Sequence, residues 1–183
     1  MSREASLVEL VDATGAPAGS ATVAEAHAAP GLLHRAFSVI LVDADNRLLL
    51  QQRAAAKTRF PLRWANACCG HPAPGEKPVD AAARRLSEEL GIDPVALHPV
   101  GVYVYRALDP VTERVEHEYD HVLVGRVDGA PQRPDPAEVA AVRWISAGEL
   151  AHEIAIQPWS YAPWLAGVVS LWHAGATEPP GER

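Results

Sequence analysis

The segment Asn66-Ala67-Cys68-Cys69-Gly70-His71-Pro72 sets a thiol two residues before an imidazole. It runs directly into a longer spaced pattern: Gly70, five residues, Glu76, seven residues, then Arg84-Arg85-Leu86-Ser87-Glu88-Glu89-Leu90-Gly91-Ile92. Positioned Cys, His and Glu side chains are proton-transfer groups. Carboxylates are hard oxygen ligands suited to Mg²⁺, which takes one or two of them plus substrate phosphates. On a helix, Arg85 and Glu89 lie one turn apart on one face. Read by helix spacing alone, that face is solvated and laced by Arg–Glu pairs worth roughly 0.2–0.5 kcal/mol each. A Cys near a His is likewise a common accident, and its plain reading is a buried structural thiol. Further on, Glu116-His117-Glu118 falls in a stretch that reads as a strand, where residues two apart share a face. Glu116 and Glu118 then project together, and His117 and His121 project away from them. Asp120 shares the Glu face, where alternating acids mark a solvated strand.

These residues need elements to carry them. Leu7 to Val11 reads as a short strand closed by the turn Asp12-Ala13-Thr14-Gly15, and residues 21–29 as Ala-rich helix or loop. The clearest hairpin joins Phe37–Val42 to Leu48–Arg53 through Asp43-Ala44-Asp45-Asn46. Residues 54–63 form a basic, Pro-containing loop, and 64–69 a short strand. Pro78 suits the first turn of a helix, Asp80 its electropositive N-terminus, and Gly91 the position past its end, which predicts a helix over 78–90. Its apolar side is Val79, Ala82, Ala83, Leu86 and Leu90. Strands are expected over 100–107, 116–127 and 139–145. Ser146 with Glu149 makes a capping box for a short helix, and 160–172 reads as a last helix. Strands with a few interposed helices predict an α+β domain, an α/β/α sandwich with a mixed sheet and flanking helices. One domain is expected over residues 1–174, with a disordered tail over 175–183.

Composition narrows the function classes. The chain has 183 residues, 48% hydrophobic and 21% charged, with a net charge of −7. Disordered, collagen-like and fibrous classes are excluded. Electrostatics alone do not favour nucleic acid, so any anionic ligand must be held locally by cations or a metal. The apolar runs are too short for a membrane helix, and the opening Met1-Ser2-Arg3-Glu4, with no basic start followed by an apolar stretch, gives no expectation of a secretory signal. The two cysteines are adjacent and build no disulfide framework. A cytoplasmic protein with reduced thiols is expected, monomeric and binding neither membrane nor nucleic acid. On a strand the two cysteines face opposite ways, Cys68 into the core.

The pattern from Gly70 to Ile92 resembles the Nudix box, a loop–helix–loop that binds a divalent cation and a diphosphate. Eight of its nine constrained positions fit, the exception being Arg85 in place of a Glu. The Asn66 to Pro72 segment is similar to the Asn-x-x-Cys-Gly-His-Pro segment of type I isopentenyl-diphosphate isomerases. So are Leu33-His34-Arg35-Ala36-Phe37-Ser38, Leu49-Leu50-Gln51-Gln52-Arg53, Lys57 before Phe60-Pro61, Glu116-His117-Glu118, and Pro158-Trp159-Ser160-Tyr161-Ala162-Pro163-Trp164. The likeness spans about residues 7 to 170.

That resemblance implies double-bond migration between isopentenyl and dimethylallyl diphosphate. An alkene is protonated and a carbon proton removed, by two groups on opposite sides of the substrate. The resemblance assigns these roles to Cys69, which immediately precedes Gly-His-Pro, and to Glu118, hydrogen-bonded by Tyr105. Trp164 would cover the intermediate cation with its aromatic face. A first metal, Zn²⁺ or Mn²⁺ or Fe²⁺ by its donors, would take His27, His34, His71, Glu116 and Glu118. Mg²⁺ would be held by Glu89 and the substrate diphosphate, and Arg53, Lys57 and Arg85 would pair with that diphosphate. The family likewise has a basic residue at the Arg85 position. One departure stands out. Members carry a diphosphate-binding Lys four residues before the first metal His, and here that position is Val23, leaving Arg59 or Arg35 as substitutes. His98, His152 and His173 read as surface residues, Trp159 and Trp172 as packing residues. A Nudix hydrolase acting on nucleoside diphosphates, and a catalytically silent Nudix binding module, are the competing readings.

Overall fold

A computed structural model of the chain describes residues 3–92, 95–129, 131 and 133–176. β1 (Leu7–Val11) and β2 (Pro17–Thr22) form an antiparallel hairpin. The expected turn joins them, with the Asp12 carboxylate accepting from the N–H groups of Thr14 and Ala16 at 2.8 and 3.0 Å. β2 itself escapes a reading by periodicity, because Pro17-Ala-Gly-Ser-Ala-Thr has no apolar alternation and is mostly exposed. Its ladder comes from β1. Thr22 then caps a single helical turn, α1 (Val23–Ala26), through a capping box with Glu25.

β3 (His34–Val42) is the axis of the fold. It pairs in parallel with β8 (Val115–Arg126) from His34↔Glu118 to Val42↔Arg126. β8 pairs antiparallel with β7 (His98–Leu108). On its other side β3 meets β1 at His34 and β6 (Cys68–Gly70) over Phe37 to Val39. β4 (Leu48–Arg53) returns from β3 as the expected hairpin and pairs with β9 (Val139–Ile145) and β5 (Trp64–Ala65). The stretch read as one strand over 64–69 is therefore two, β5 and β6, on different partners.

Helices cover both faces, which explains the unbroken apolar run Phe37–Val42 in a strand buried on two sides. On one face Phe37, Val39, Leu41, Leu49, Cys68 and Leu123 pack with Leu86 and Leu90 of α2 (Pro78–Leu90). On the other, Ile40, Val42, Leu48, Leu50 and Val122 pack with Leu150 of α3 (Ala147–Ile156) and with Leu165, Val168 and Val169 of α4 (Leu165–Ala176). Each such side chain contributes about 1.5–3 kcal/mol by leaving water.

The helix ends follow the sequence signals. α2 starts at Pro78 and stops at Gly91, whose φ of 63° is left-handed and suits Gly. α3 carries the Ser146–Glu149 capping box. The last helix begins five residues later than periodicity suggests. Pro158–Ser160 instead forms a 3-10 turn, and Tyr161 bridges to Trp64 before Pro163 leads into α4. α4 also continues through Gly175 and Ala176, where a disordered tail was expected; residues 177–183 of that tail lie outside the described residues. Among the described residues no helix is long and apolar enough to cross a membrane.

Candidate active site

Parallel pairing of β3 with β8 sets His34 directly beside Glu118. His27 follows α1 and is tied to β8 by its carbonyl, which accepts from the Val115 N–H at 2.9 Å. His71 follows β6. The ligand atoms of His27, His34, His71, Glu116 and Glu118 all lie within 4.8 Å of one another. All but His71 are buried, and the three imidazole centroids stand 4.6–5.0 Å apart.

The donor chemistry of this cluster fits a divalent cation. His27 Nδ1 faces the Val23 carbonyl and His34 Nδ1 the Leu32 carbonyl, both at 2.7 Å. A carbonyl only accepts, so each Nδ1 carries a proton, and Nε2 is the ring nitrogen turned toward the cluster. His34 Nε2 is buried without a hydrogen-bond partner, 3.7 Å from Glu118 Oε1. His27 Nε2 meets Glu116 Oε2, and His71 Nε2 meets Glu118 Oε1, each at 2.9 Å. Burial alone would raise Glu118, but the close approach of His34 and the hydrogen bond of His71 outweigh it and hold its carboxyl well below the usual range. Burial pulls His71 down to about 4. Burial opposes a charge on His34 too, yet the Glu118 carboxylate beside it raises its pKa.

The two oxygens of Glu118 have different surroundings. Oε1 faces the histidines, while Oε2 accepts from the Tyr105 hydroxyl at 2.6 Å. Burial, then the Glu118 charge, holds the Tyr105 hydroxyl well above its ordinary pKa, so it stays a donor.

Cys68 and Cys69 divide as strand alternation requires. Cys68 is fully buried in the core beneath α2, and Cys69 opens on the other face. Burial pushes the Cys69 thiol up to about 12, which keeps its proton on sulfur at neutral pH. Its Sγ lies 3.1 Å from Asn66 Oδ1 and 3.5 Å from Ser38 Oγ.

A pocket of about 330 Å³ gathers most of these groups. Cys69, His71, Tyr105, Glu116, Glu118 and Trp164 line it, as do Glu89, Arg53, Lys57 and Arg85. His27 and His34 stand behind the wall. Arg53 donates to the carbonyls of Arg59 and Phe60 and lies 5.5 Å from the centroid of the Trp164 ring. Glu89 is buried against Gln51 and paired with Arg85, which also reaches Glu88. Lys57 pairs with Glu138. Burial, and then the charges of Arg53, Arg3 and Arg85 against the pull of Glu89, lowers Lys57 to about 8.

Several expectations change. Asp120 is not on a solvated strand: it is fully buried and accepts from Ser38 Oγ at 2.7 Å. Burial and the Glu118 charge push its carboxyl well above the usual range. Trp159 is 65% exposed and packs little, whereas Trp172 does pack against the core. Arg35 does not line the pocket. It is engaged by Glu9 at 2.6 Å and the Gly15 carbonyl at 2.8 Å. Arg3 and Glu138, which spacing gave no reason to single out, meet at the cationic end, Arg3 lining the pocket and paired with Glu138.

Residues 32–166 match the NUDIX domain family. The chain is 58% identical over 174 residues to the isopentenyl-diphosphate Delta-isomerase of Nocardia farcinica, covering 95% of this chain and 98% of that one. It is 46% identical over 178 residues to the enzyme of the same name from Streptomyces coelicolor, covering 97% and 89%. A crystal structure of a Deinococcus radiodurans protein superposes with a TM-score of 0.73 at 19% identity, covering 91% and 99%, and so shares the fold. A MutT protein of Methanosarcina mazei does so with a TM-score of 0.62 at 16% identity, covering 80% and 96%. With a NUDIX domain over most of its length and relatives of this identity along nearly all of it, the chain belongs to the isopentenyl-diphosphate Delta-isomerase family.

Proposed function

We propose that the protein interconverts isopentenyl and dimethylallyl diphosphate, with Cys69 and Glu118 as the two proton-transfer groups. The observation that carries this reading is that a thiol kept protonated and a carboxylate kept ionised line one pocket, beside an indole and a cluster of cations. Cys69 then delivers its proton to the terminal alkene carbon, which leaves the cation on the methyl-bearing carbon, and Glu118 Oε2, oriented by Tyr105, takes a proton from the CH₂ on the far side of that cation. In the reverse direction the two exchange tasks. Trp164 faces the tertiary cation that forms between the steps, and its π-system stabilises positive charge more than an aliphatic wall would. Phe60 meets Trp164 edge-on with centroids 5.5 Å apart, and Tyr105 meets it at 5.8 Å, which keeps water from that face.

Arg53, Lys57 and Arg85 bind the diphosphate. His27, His34, His71, Glu116 and Glu118 would hold one divalent cation, Zn²⁺ or Mn²⁺ by donor type, and Glu89 would share Mg²⁺ with the diphosphate. A cation among those five residues would supply the charge that keeps Glu118 ionised until it takes the substrate proton. Nucleotide hydrolysis is disfavoured by Arg85, which stands where the hydrolase pattern has a metal-binding carboxylate and is itself paired with Glu89.

Incubation with isopentenyl diphosphate and Mg²⁺ in deuterated water tests the proposal. Deuterated dimethylallyl diphosphate is the expected product. Release of phosphate or nucleotide from a nucleotide panel, with no isomerisation, would overturn it.

A further inference from the structure

Asn66 is 2% exposed and stands behind the pocket wall that Cys69 and Trp164 line. Its amide nitrogen donates to the backbone carbonyls of Val39 at 3.1 Å and Cys68 at 2.9 Å. Both partners only accept, so they fix which end of the amide is nitrogen and aim the oxygen the other way. That one oxygen accepts from Cys69 Sγ at 3.1 Å and from the Trp164 indole Nε1 at 3.1 Å, which uses both of its lone pairs. Other contacts of Trp164 bear on its ring: Phe60 edge-on and Arg53 over its face. The bond to Asn66 engages its N–H.

We propose that Asn66 is a positioning residue that sets the orientation of the Cys69 thiol and the Trp164 indole together, through a single amide oxygen. Its kinetic consequence rests on the isomerase reading above. A proton donor and a cation-facing ring must be aligned on the same small hydrocarbon, and misalignment of either slows the chemical step more than it weakens diphosphate binding. Neither tethered group is one of the cations, so loss of the tether falls on kcat rather than KM.

The test uses Asn66→Ala, Trp164→Phe and the double variant. Trp164→Phe keeps an aromatic face, though a smaller one, and removes the N–H end of the tether. With isopentenyl diphosphate, Asn66→Ala is expected to lower kcat about 10–100-fold and Trp164→Phe about 10-fold, with KM changed less than about threefold. Because both act through the same oxygen, the double variant should be within about threefold of Asn66→Ala alone. The chain has five tryptophans. In a ¹H–¹⁵N spectrum the Trp164 indole signal, identified by its loss in Trp164→Phe, should move upfield in Asn66→Ala while the others hold their places. Effects on kcat that simply multiply, or an unmoved Trp164 signal, would overturn the proposal. Should Asn66→Ala fail to fold, Trp164→Phe decides, since an unchanged kcat there refutes the tether. If the unaltered protein does not isomerise, the functional reading falls, and the indole signal still decides the tether.

Discussion

The hydroxyl of Ser38 on β3 donates to the carboxyl of Asp120 on β8 at 2.7 Å, while the other oxygen of Asp120 is buried with no hydrogen-bond partner. The same Ser38 oxygen is 3.5 Å from Cys69 Sγ. Burial, and then the charge of Glu118 on the same strand face, hold the carboxyl of an acid so placed well above the usual range.

The sign of its effect follows. Asp120 has a folded pKa raised above its unfolded value near 3.8, so its contribution to stability is full below that value and declines as pH rises through the folded pKa. Above the unfolded value, burial beside Glu118 works against the charge of Asp120, and Asp120→Asn removes that cost. In metal-free protein the variant should be more stable than the unaltered chain at pH 7, on the order of 1 kcal/mol or ~3 °C in Tm. The gain should vanish near pH 3.5. A variant less stable at pH 7, with the loss fading near pH 3.5 in thermal melts, would show that Asp120 is ionised in place.

The cysteine pair gives a second prediction. Cys69→Ala should lower isomerisation by about 10²–10⁴-fold, the usual worth of a positioned proton donor. Cys68→Ala should keep most of the activity and lose about 1 kcal/mol of stability, because its sulfur fills core space beneath α2. Steady-state rates and melts on both variants decide, and an active Cys69→Ala protein would reverse the roles.

The Cys68/Cys69 division was legible in the sequence because strand alternation is local. So were the bounds of α2, which Pro78 and Gly91 mark with backbone chemistry of their own. Asp120 was misread because alternating acids look alike whether they face water or a buried serine, and Ser38 arrives from another strand. The start of α4 was misplaced because the Tyr161–Trp64 bridge holds the chain extended where apolar spacing suggests helix. The convergence of His27, His34, His71, Glu116 and Glu118 depends on the parallel register of β3 and β8, which no local signal specifies. Only the likeness to a known family reached it.

Metal binding should be pH-dependent through one histidine. Folded His34 has a pKa raised above 6.5, so a proton competes for its Nε2 as the solution is acidified, whereas His71 at about 4 offers no such competition. At a hundredfold excess over its Kd a ligand adds about 2.7 kcal/mol, or on the order of 5–10 °C in Tm for a chain of this length. The difference in Tm between Mn²⁺-loaded and EDTA-treated protein should therefore be largest at pH 8 and shrink by pH 6. A difference that grows on acidification would exclude this histidine cluster as the binding site.

Arg59 and Val23 line the same pocket. Val23 stands where relatives of this kind are expected to carry a diphosphate-binding Lys. It is 6% exposed, packed with Val8 and Ala26, and offers no donor from its side chain. Arg59 is braced by Glu4 at 3.0 Å and Glu116 at 3.1 Å and is a cation of the pocket lining, where Val23 offers none. A charge-assisted hydrogen bond is worth about 1.5–3 kcal/mol, or roughly one to two powers of ten in affinity. Arg59→Ala should accordingly raise KM for isopentenyl diphosphate about 10–100-fold with a smaller change in kcat, because a head-group contact is similar in ground and transition states. Adding Val23→Lys to that variant should recover much of the loss, while Val23→Lys alone should lower KM only slightly. Mn²⁺ affinity followed by Tm separates this from damage to Glu116. If Arg59→Ala leaves KM unchanged but weakens Mn²⁺ binding, Arg59 only braces Glu116, and the diphosphate rests on Arg53, Lys57 and Arg85 alone.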